Sequence, residues 1–246
     1  MLTITKEQID AFKEDALRRF KKKMLVRVKE VASAHFQFNG EEAARNLVDY
    51  GMQRAGEHGF TEQDTLRLYL DFTVIYGCDF DVDPQLPWAA RVLGSKRDED
   101  ELIKSQRLYV LGRSYDQEVS GLENEHADEA MASLRSLPVQ GFLTPGMAIK
   151  GQLFWIFPRK FDYLGEEGVD GLLQRGKELA QQYGLEPDLG AAALAILMFL
   201  FGWGFCQDPQ YPWATATLND PALNPAQRLE ALCKQTQDYL TFIYFE

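Results

Sequence analysis

Apolar residues recur at helical spacing from the beginning of the chain. Ile9, Phe12, Ala16, Phe20 and Met24 lie three or four residues apart, which predicts an amphipathic helix. Strand signals are weak, since no Asn-Gly or Asp-Gly turn separates alternating segments. The aromatic segments 153–157 and 241–245 are the two places where an extended conformation could occur. The pattern therefore predicts an all-α protein.

Two positions have the spacing of helix capping pairs. Thr5 is followed three residues later by Gln8, which is typical of a capping box. Thr61 is followed in the same way by Asp64, although Asp is weaker at this position than Glu or Gln. We expect helices to begin at both places.

The sequence also contains an internal repeat. Residues 36–93 align without a gap with residues 161–218, and 17 of the 58 pairs are identical. Ordinary composition would give about three or four identities. The offset of 125 residues is longer than the roughly 20 to 50 residues of solenoid repeats. We therefore predict two homologous helical halves, with about five helices each, packed with pseudo-two-fold symmetry.

The identical positions form a structural signature within the repeat. An aspartate-proline block dominates it, and an aspartate before a proline predicts the N-cap of a helix. The tryptophan that follows would then anchor that helix in the core. The signature residues are Gly77, Phe80, Asp83, Pro84, Pro87 and Trp88 in the first copy and Gly202, Phe205, Asp208, Pro209, Pro212 and Trp213 in the second.

Glycines also recur in register within the repeat. Leu47, Gly51, Ala55 and Gly59 lie four apart, and residues 172–184 repeat the pattern. A glycine in the middle of a helix costs about 1 kcal/mol relative to alanine, so its presence in both copies predicts a neighbouring helix that passes very close. The last glycine of each row is expected to end its helix.

The composition changes between the two halves. Residues 118–129 are strongly acidic, and Leu122, Met131, Leu134 and Leu137 suit one face of an amphipathic helix. A proline- and glycine-rich stretch follows at 138–146. We predict a first helical repeat domain at 1–118, an acidic helical linker at 119–146 and a second repeat domain at 147–246.

Charge limits the classes of partner. The chain of 246 residues carries a net charge of −11, which argues against nucleic acid because a phosphate backbone requires a basic surface. Residues 1–30 nevertheless hold nine Lys or Arg against five Asp or Glu. This basic first helix could contact an acidic partner, contact the acidic body of the protein, or simply present a solvated face.

Two observations bear on localisation. The stretch 189–206 contains no charged residue, yet its aligned counterpart 64–81 contains Arg67, Asp71 and Asp79. Since the same element should have the same role in both copies, we predict a buried core helix and no membrane insertion. The beginning of the chain lacks the features of a signal peptide, and three unpatterned cysteines suit reduced thiols, so we expect a cytoplasmic protein.

One loop has the spacing of a calcium site. Asp79, Asp81 and Asp83 lie two apart, as at the start of an EF-hand loop. The sixth position is Pro84 where glycine is needed, and the twelfth is Ala90 where a bidentate glutamate is needed. The second copy has Gly204 and Cys206 in place of the first two aspartates. We therefore predict no metal site.

The search for catalytic patterns is negative. The three histidines lie at unrelated positions, without ligand spacing. The pairs Glu41-Glu42 and Glu166-Glu167 each follow a glycine at a helix start, where negative charge complements the helix dipole. Nucleophile-elbow, phosphate-loop, zinc-protease and dinucleotide motifs are absent. We expect no cofactor and no enzymatic activity, with an enzyme of unrecognised type as a remaining alternative.

A partner surface is expected where the copies differ. One candidate is the acidic group Asp71, Asp79 and Asp81, which would suit a basic partner and give salt-sensitive binding. Another is the aromatic C-terminal group Tyr239, Phe242, Tyr244 and Phe245, because aromatic residues are frequent interface anchors. The alternative for this second group is simple packing onto the second half.

The first helix and the block that ends Asp83-Pro84-Gln85-Leu86-Pro87-Trp88-Ala89 together resemble a group of bacterial proteins. These are small accessory proteins encoded beside the spike (VgrG or PAAR) and effector genes of type VI secretion systems. The resemblance covers roughly residues 1–110 and rests mainly on Gly59, Phe80, the Asp-Pro pair and the Pro-Trp pair. It assigns no catalytic or binding residue.

The resemblance implies a cytoplasmic adaptor or co-chaperone. Such a protein would hold a secretion effector, or the effector's own chaperone, for loading onto the spike. The nearest alternative is an immunity protein that neutralises a toxin. Either role agrees with an acidic, helical chain that lacks catalytic motifs.

Overall fold

The computed structural model describes residues 5–94, 99–136 and 149–245, without the side chains of Tyr244 and Phe245. Within these ranges the chain forms α-helices, one short 3-10 helix and no strand, so the all-α prediction is confirmed. The segments 153–157 and 241–245 are helical or adjoin a helix, so the extended alternative was wrong. The helices are α1 (Lys6–Val31), α2 (Ser33–Glu57), α3 (Gln63–Tyr76), α4 (Pro87–Leu93), α5 (Glu101–Val119), α6 (Glu125–Ser136), α7 (Ile149–Ile156), α8 (Pro158–Gln182), α9 (Pro187–Phe201), α10 (Pro212–Leu218) and α11 (Pro225–Phe245).

Several helices begin and end 125 residues apart. Helices α2 and α8 do so, as do α4 and α10. A glycine breaks each of the two longer helices at the matching position, with φ of +81° at Gly40 and +65° at Gly165. Only glycine adopts such angles readily, which explains its presence there. The glutamate pairs that follow begin a new helical segment, as expected.

The glycine rows mark close helix contacts, as predicted. A Cβ atom at Gly51 would lie 2.5 Å from Leu70 Cδ2, and one at Gly176 would lie 2.5 Å from the carbonyl oxygen of Ala191. Helix α2 therefore lies directly against α3, and α8 against α9. The row in α2 ends at Gly59, with φ of +83°, directly after the C-cap His58, where a glycine commonly ends a helix.

One hydrophobic core connects helices from both predicted halves. It runs from α2 and α3 through α9, whose Leu194, Ile196 and Met198 are fully buried, to α11. The apolar run around α9 is thus a core helix, as predicted. A smaller cluster lies beneath α1 and joins Phe20 and Met24 to α2 and α3. In the described parts of the chain, no helix has the length and apolar character needed to cross a membrane.

The two signature loops meet at the centre of this core and exchange hydrogen bonds. The backbone N–H of Cys78 donates to Asp208 Oδ2 at 2.8 Å, and that of Trp203 donates to Asp83 Oδ2 at 3.0 Å. The two donors, Cys78 and Trp203, are 125 residues apart in the sequence, and so are the two acceptors, Asp83 and Asp208. We call this contact, defined by the loops 77–86 and 202–211, the loop junction.

The two glutamines of the loop junction repeat the exchange. Gln85 Nε2 donates to the carbonyl oxygen of Met198 at 2.9 Å, and Gln210 Nε2 donates to that of Thr73 at 3.0 Å. Both acceptors lie in the last turn of a helix and also accept the C-cap N–H of that helix, from Gly202 for Met198 and from Gly77 for Thr73. Each glutamine therefore adds a second hydrogen bond at the C-terminal end of the helix on the opposite side.

This geometry corrects the predicted role of the two aspartates. Asp83 and Asp208 are not N-caps, because α4 and α10 begin at Pro87 and Pro212, and the residues before them make no side-chain cap. Both carboxylates are buried and bind backbone N–H groups of their own loop and of the opposite loop. Their identity in both copies reflects a long-range contact.

Burial in the loop junction changes proton affinities. Desolvation raises the pKa of Asp208 to about 6, although N–H donors from Gln210 and Cys78 oppose the shift. Desolvation also raises the pKa of Asp83. The buried ammonium of Lys160 has its pKa lowered to about 8, since burial outweighs the attraction of Asp83. The junction therefore holds ionisable groups in an environment that disfavours charge.

Only one of the two predicted capping pairs is present in the structure. Thr5 and Gln8 form the predicted capping box at the start of α1. Thr61 and Asp64 do not form theirs, because α3 begins after Glu62 without a side-chain cap. Glu101 of α5 instead accepts hydrogen bonds from the N–H and hydroxyl groups of Thr61, at 2.7 and 2.8 Å. The Glu101 carboxylate, from a different helix, thus accepts hydrogen bonds from the residue that precedes the N-cap of α3.

The predicted linker is described only in part. Residues 125–136 form α6, in which Leu134 is buried and Met131 is partly buried, as predicted. Leu122 precedes the helix and is 79% exposed, so its predicted place on the apolar face was wrong, and Leu137 lies outside the described residues. The proline- and glycine-rich stretch at 138–146 lies outside the described residues. The division at 1–118, 119–146 and 147–246 stays a prediction.

Candidate functional site

Asp81 is the centre of a buried polar network in the first half. Its Oδ2 atom accepts hydrogen bonds from Arg54 Nη2 at 2.6 Å, His58 Nε2 at 2.6 Å and the hydroxyl of Tyr69 at 2.9 Å. The Asp81 side chain is fully buried, while those of Arg54 and His58 are about one-fifth exposed. The network thus joins the end of α2, the middle of α3 and the loop after α3.

The charge state of Asp81 follows from these contacts. Burial alone would raise its pKa, but the hydrogen bonds from His58 and Arg54 and the charge of Arg54 lower it below its ordinary value. The carboxylate is therefore ionised near neutral pH. Because Asp81 is enclosed by its donors, the prediction that it contacts a partner is wrong.

The second half replaces this entire network with apolar or less polar side chains. The residues 125 positions after Arg54, His58, Tyr69 and Asp81 are Leu179, Tyr183, Leu194 and Cys206, and all four are buried. A charged network and a largely apolar cluster thus occupy corresponding positions. Sequence reasoning noted the change at Asp81 but missed its three partners, although the same alignment shows them changing together.

The other two residues of the predicted acidic group also have internal partners. Asp71 forms a two-pronged ion pair with Arg27, at 3.0 Å for each nitrogen–oxygen contact, which ties α1 to α3. Asp79 accepts a hydrogen bond from the Tyr50 hydroxyl. The predicted acidic group therefore does not form one exposed patch, and its charges serve contacts within the protein.

The described part of the aromatic C-terminal group packs inside the molecule. Tyr239 is buried, and its hydroxyl lies 2.9 Å from His35 Nδ1. Phe242 packs edge-to-face on Phe38, with 5.4 Å between ring centroids. Helix α11 thus contacts α2 as well as the second half. The side chains of Tyr244 and Phe245 lie outside the described residues.

His35 is adapted to this buried position. Its burial lowers the pKa to about 4, so the imidazole is neutral near pH 7 and can exchange a hydrogen bond with Tyr239. Its ring also lies edge-on to Tyr211. The arrangement fits a packed interhelical contact.

An exposed apolar face on α5 was not identified from the sequence. Leu102, Ile103, Tyr109 and Val110 lie on one side of the helix, and each is about half exposed or more, with Val110 at 62%. We call these four residues the α5 face. The exposed Gln106 lies between the two pairs. Lone exposed apolar residues are common, but four large ones on one side of a helix are typical of a binding surface.

The α5 face has no apolar counterpart 125 residues further along the chain. The residues 125 positions later are Gln227, Arg228, Lys234 and Gln235, which lie on α11. All four substitutions are from apolar or aromatic to polar. The sequence contains this signal only beyond the aligned segments 36–93 and 161–218.

A groove of about 700 Å³ lies between α1 and the second segment of α2. Its wall contains Leu17, Leu25 and Val48, and its rim includes Arg18 and Lys22. In the described parts of the chain, no group of three or more His, Cys, Asp or Glu side chains is arranged to hold a metal ion.

The comparisons with known proteins were made at three levels. Searches against protein-family models, curated proteins and solved structures found no match.

Proposed function

We propose that the chain is an internal duplication whose halves pack about a pseudo-two-fold axis through the loop junction. The paired hydrogen bonds of Cys78 with Asp208 and of Trp203 with Asp83 support this proposal. In a two-fold contact, residue i of one side meets residue j of the other and the reverse also holds. The shared offset of 125 residues in α2 and α8 supports the same interpretation.

We further propose that the protein is a non-enzymatic adaptor or co-chaperone that binds another protein. The α5 face is the observation that carries this proposal. It exposes four large apolar side chains in one copy, whereas the corresponding side chains of the other copy are polar. Aromatic and aliphatic groups of this kind provide the buried centre of protein interfaces. A partner with an amphipathic helix or another apolar patch would suit it.

The proposed setting is bacterial type VI secretion. The resemblance of residues 1–110 to accessory proteins of these systems supports a cytoplasmic role with an effector or its chaperone. The acidic net charge of −11 is compatible with protein partners of this type and disfavours nucleic acid. The partner would meet the α5 face.

The test is affinity capture from the native bacterium with matched variants. Wild-type protein is expected to retain a secretion effector, its chaperone or a spike component. The variant Val110→Asp is expected to lose that partner, because a carboxylate would be buried without a donor at the interface. Lys234→Asp, at the exposed position of α11 that corresponds to Tyr109 of the α5 face, is the control and should retain it. Equal capture by the Val110 variant, or capture without any secretion component, would refute the proposal.

The same preparation separates an adaptor from an immunity protein. If the captured partner is a toxin, its activity is measured with and without added protein. An adaptor leaves the toxin active once bound, whereas an immunity protein abolishes its activity. Loss of activity would therefore replace the adaptor proposal with the immunity alternative.

A further inference from the structure

The second half of α1 presents a row of basic side chains to solvent. Its buried residues, Phe20, Met24 and Val28, lie along one stripe of the helix. Five exposed basic residues lie around the rest of the same turns, over about 16 Å of helix. We call them the basic ridge, which consists of Arg18, Arg19, Lys22, Lys23 and Lys29.

Few carboxylates neutralise the basic ridge. From residue 18 to residue 29 the helix contains no acidic residue. The two arginines of the ridge share one carboxylate, that of Asp15 in the preceding turn. Within the described residues, the structure gives no ion pair to its three lysines. The other nearby carboxylates of α1, at Glu14 and Glu30, lie beyond the two ends of the ridge.

The spacing of these charges is unfavourable for the isolated helix. The first two lysines of the ridge each follow one of its arginines by four residues, and like charges at this spacing destabilise a helix. Exposed helices elsewhere in the protein pair opposite charges at the same spacing, as Glu41 does with Arg45 and Lys234 with Asp238. An anionic partner would relieve the repulsion along the ridge.

The ridge lies on the firmly packed part of α1. Arg27 makes two contacts of 3.0 Å with Asp71 of α3, and Lys21 contacts Asp49 of α2 at 2.7 Å. These ion pairs and the buried stripe fix the helix, so its backbone needs no ordering before it binds. Val26 lies among the basic residues and is 50% exposed, which offers an apolar contact within the charged surface.

We propose that the basic ridge binds a short acidic segment of a partner protein. Complementary charge selects the partner, because the ridge carries lysines without carboxylates. A segment with one carboxylate per helical turn and an apolar side chain facing Val26 would fit it. This inference does not rest on the α5 face or on the proposed adaptor role.

An acidic protein segment fits the ridge better than a nucleic acid or an anionic membrane does. The chain has a net charge of −11 with the ridge included, so the rest of its surface repels polyanions. A duplex or a bilayer extends beyond the ridge and would meet that acidic surface. A short segment meets the ridge alone, and charges farther away than about 8 Å are largely screened at physiological salt.

The test is the binding of the full chain to a fluorescein-labelled helical peptide of about 16 residues, with glutamate at every fourth position among alanine and glutamine. Fluorescence anisotropy at low salt is expected to give a dissociation constant below about 100 µM. Binding should be lost at about 1 M salt, where the screening length falls to about 3 Å. No binding up to about 1 mM at low salt would overturn the proposal. Equal binding of a peptide with glutamine in place of every glutamate would also overturn it.

Matched variants locate the contact. Replacing the three lysines of the ridge is expected to weaken peptide binding at least about tenfold, and the variant is K22Q/K23Q/K29Q. The control removes three exposed basic charges from α8 and α11, so it changes the net charge equally, and it is R159Q/K177Q/K234Q. The control should bind as the wild type does, and circular dichroism verifies that both variants are folded. Equal weakening in the control would contradict binding at the ridge.

Other anions are compared in the same assay. A short DNA duplex and vesicles that contain phosphatidylserine are expected to bind at least about tenfold more weakly than the peptide. If either binds the ridge as tightly as the peptide does, the assignment to an acidic protein segment is wrong.

Discussion

The Asp81 network can be replaced with its counterpart from the second half. The substitutions are Arg54→Leu, His58→Tyr, Tyr69→Leu and Asp81→Cys, which copy Leu179, Tyr183, Leu194 and Cys206. Replacing a buried charged group with well-packed apolar residues is often neutral, whereas removing one partner is costly because it leaves the others unpaired. The fourfold variant is therefore expected to be more stable than the variant Asp81→Cys alone.

The magnitude follows from the contacts that are lost. Asp81→Cys removes the acceptor of three donors, from Arg54, His58 and Tyr69. Breaking a buried pair costs about 3 to 5 kcal/mol. Arg54 is 23% exposed and also contacts Glu57 at 3.1 Å, so we expect a loss near the lower value, about 3 kcal/mol. The fourfold variant should lie within about 1 kcal/mol of the wild type.

The assay is urea unfolding followed by circular dichroism, with the free energy of unfolding obtained from a single transition. The control is Cys206→Asp, which buries a carboxylate where Leu179 and Leu194 stand in place of the donors Arg54 and Tyr69. It is expected to cost at least about 3 kcal/mol. If the fourfold variant loses as much stability as the sum of its single substitutions, the copies are not interchangeable at these positions and the reasoning fails.

Three further outcomes are expected. Gly202→Ala places a Cβ atom 2.5 Å from the Tyr76 carbonyl oxygen at a φ of +99°, so the free energy of unfolding in urea should fall by at least about 2 kcal/mol. The control Gly56→Ala has open space and should raise the free energy of unfolding by up to about 1 kcal/mol. Equal effects of the two substitutions would contradict the close packing of the loop junction. The pKa of Asp208 in the folded protein is raised from 3.8 to about 6. The stability that its protonated carboxyl contributes is therefore present below about pH 4 and is lost as the pH rises through about 6, a change of about 3 kcal/mol. Asp208→Asn should remove this pH dependence from the free energy of unfolding in urea, and an unchanged pH profile would refute the assignment to Asp208. Thr5→Ala should destabilise the exposed start of α1 by about 1 kcal/mol. The effect is measured as faster amide hydrogen exchange over the first turns of the helix. Unchanged exchange would show that the capping box is not formed in solution.

The sequence predicted the features that depend on local pattern. The position of α9 follows from its uncharged run, and the close approach at Gly51 and Gly176 follows from glycines kept in two aligned helices. These features are recognisable because the residues that determine them lie within a few turns of one another or recur at a fixed offset.

Features that depend on distant partners could not be predicted in this way. Asp83 precedes a proline, which locally favours an N-cap, but its decisive donor is the N–H of Trp203, 120 residues away. Asp81 was predicted to contact a partner because the two aligned segments differ at this position, whereas Arg54, His58 and Tyr69 enclose it. Periodicity likewise predicted α1 but not which part of its stripe the body covers.

The proposed function is tested most directly by hydrogen exchange on the complex with the captured partner. The α5 face predicts that partner binding slows exchange in residues 101–113, while the corresponding residues 226–238 of α11 keep their exchange rates. Protection of α11 without protection of α5 would contradict the account.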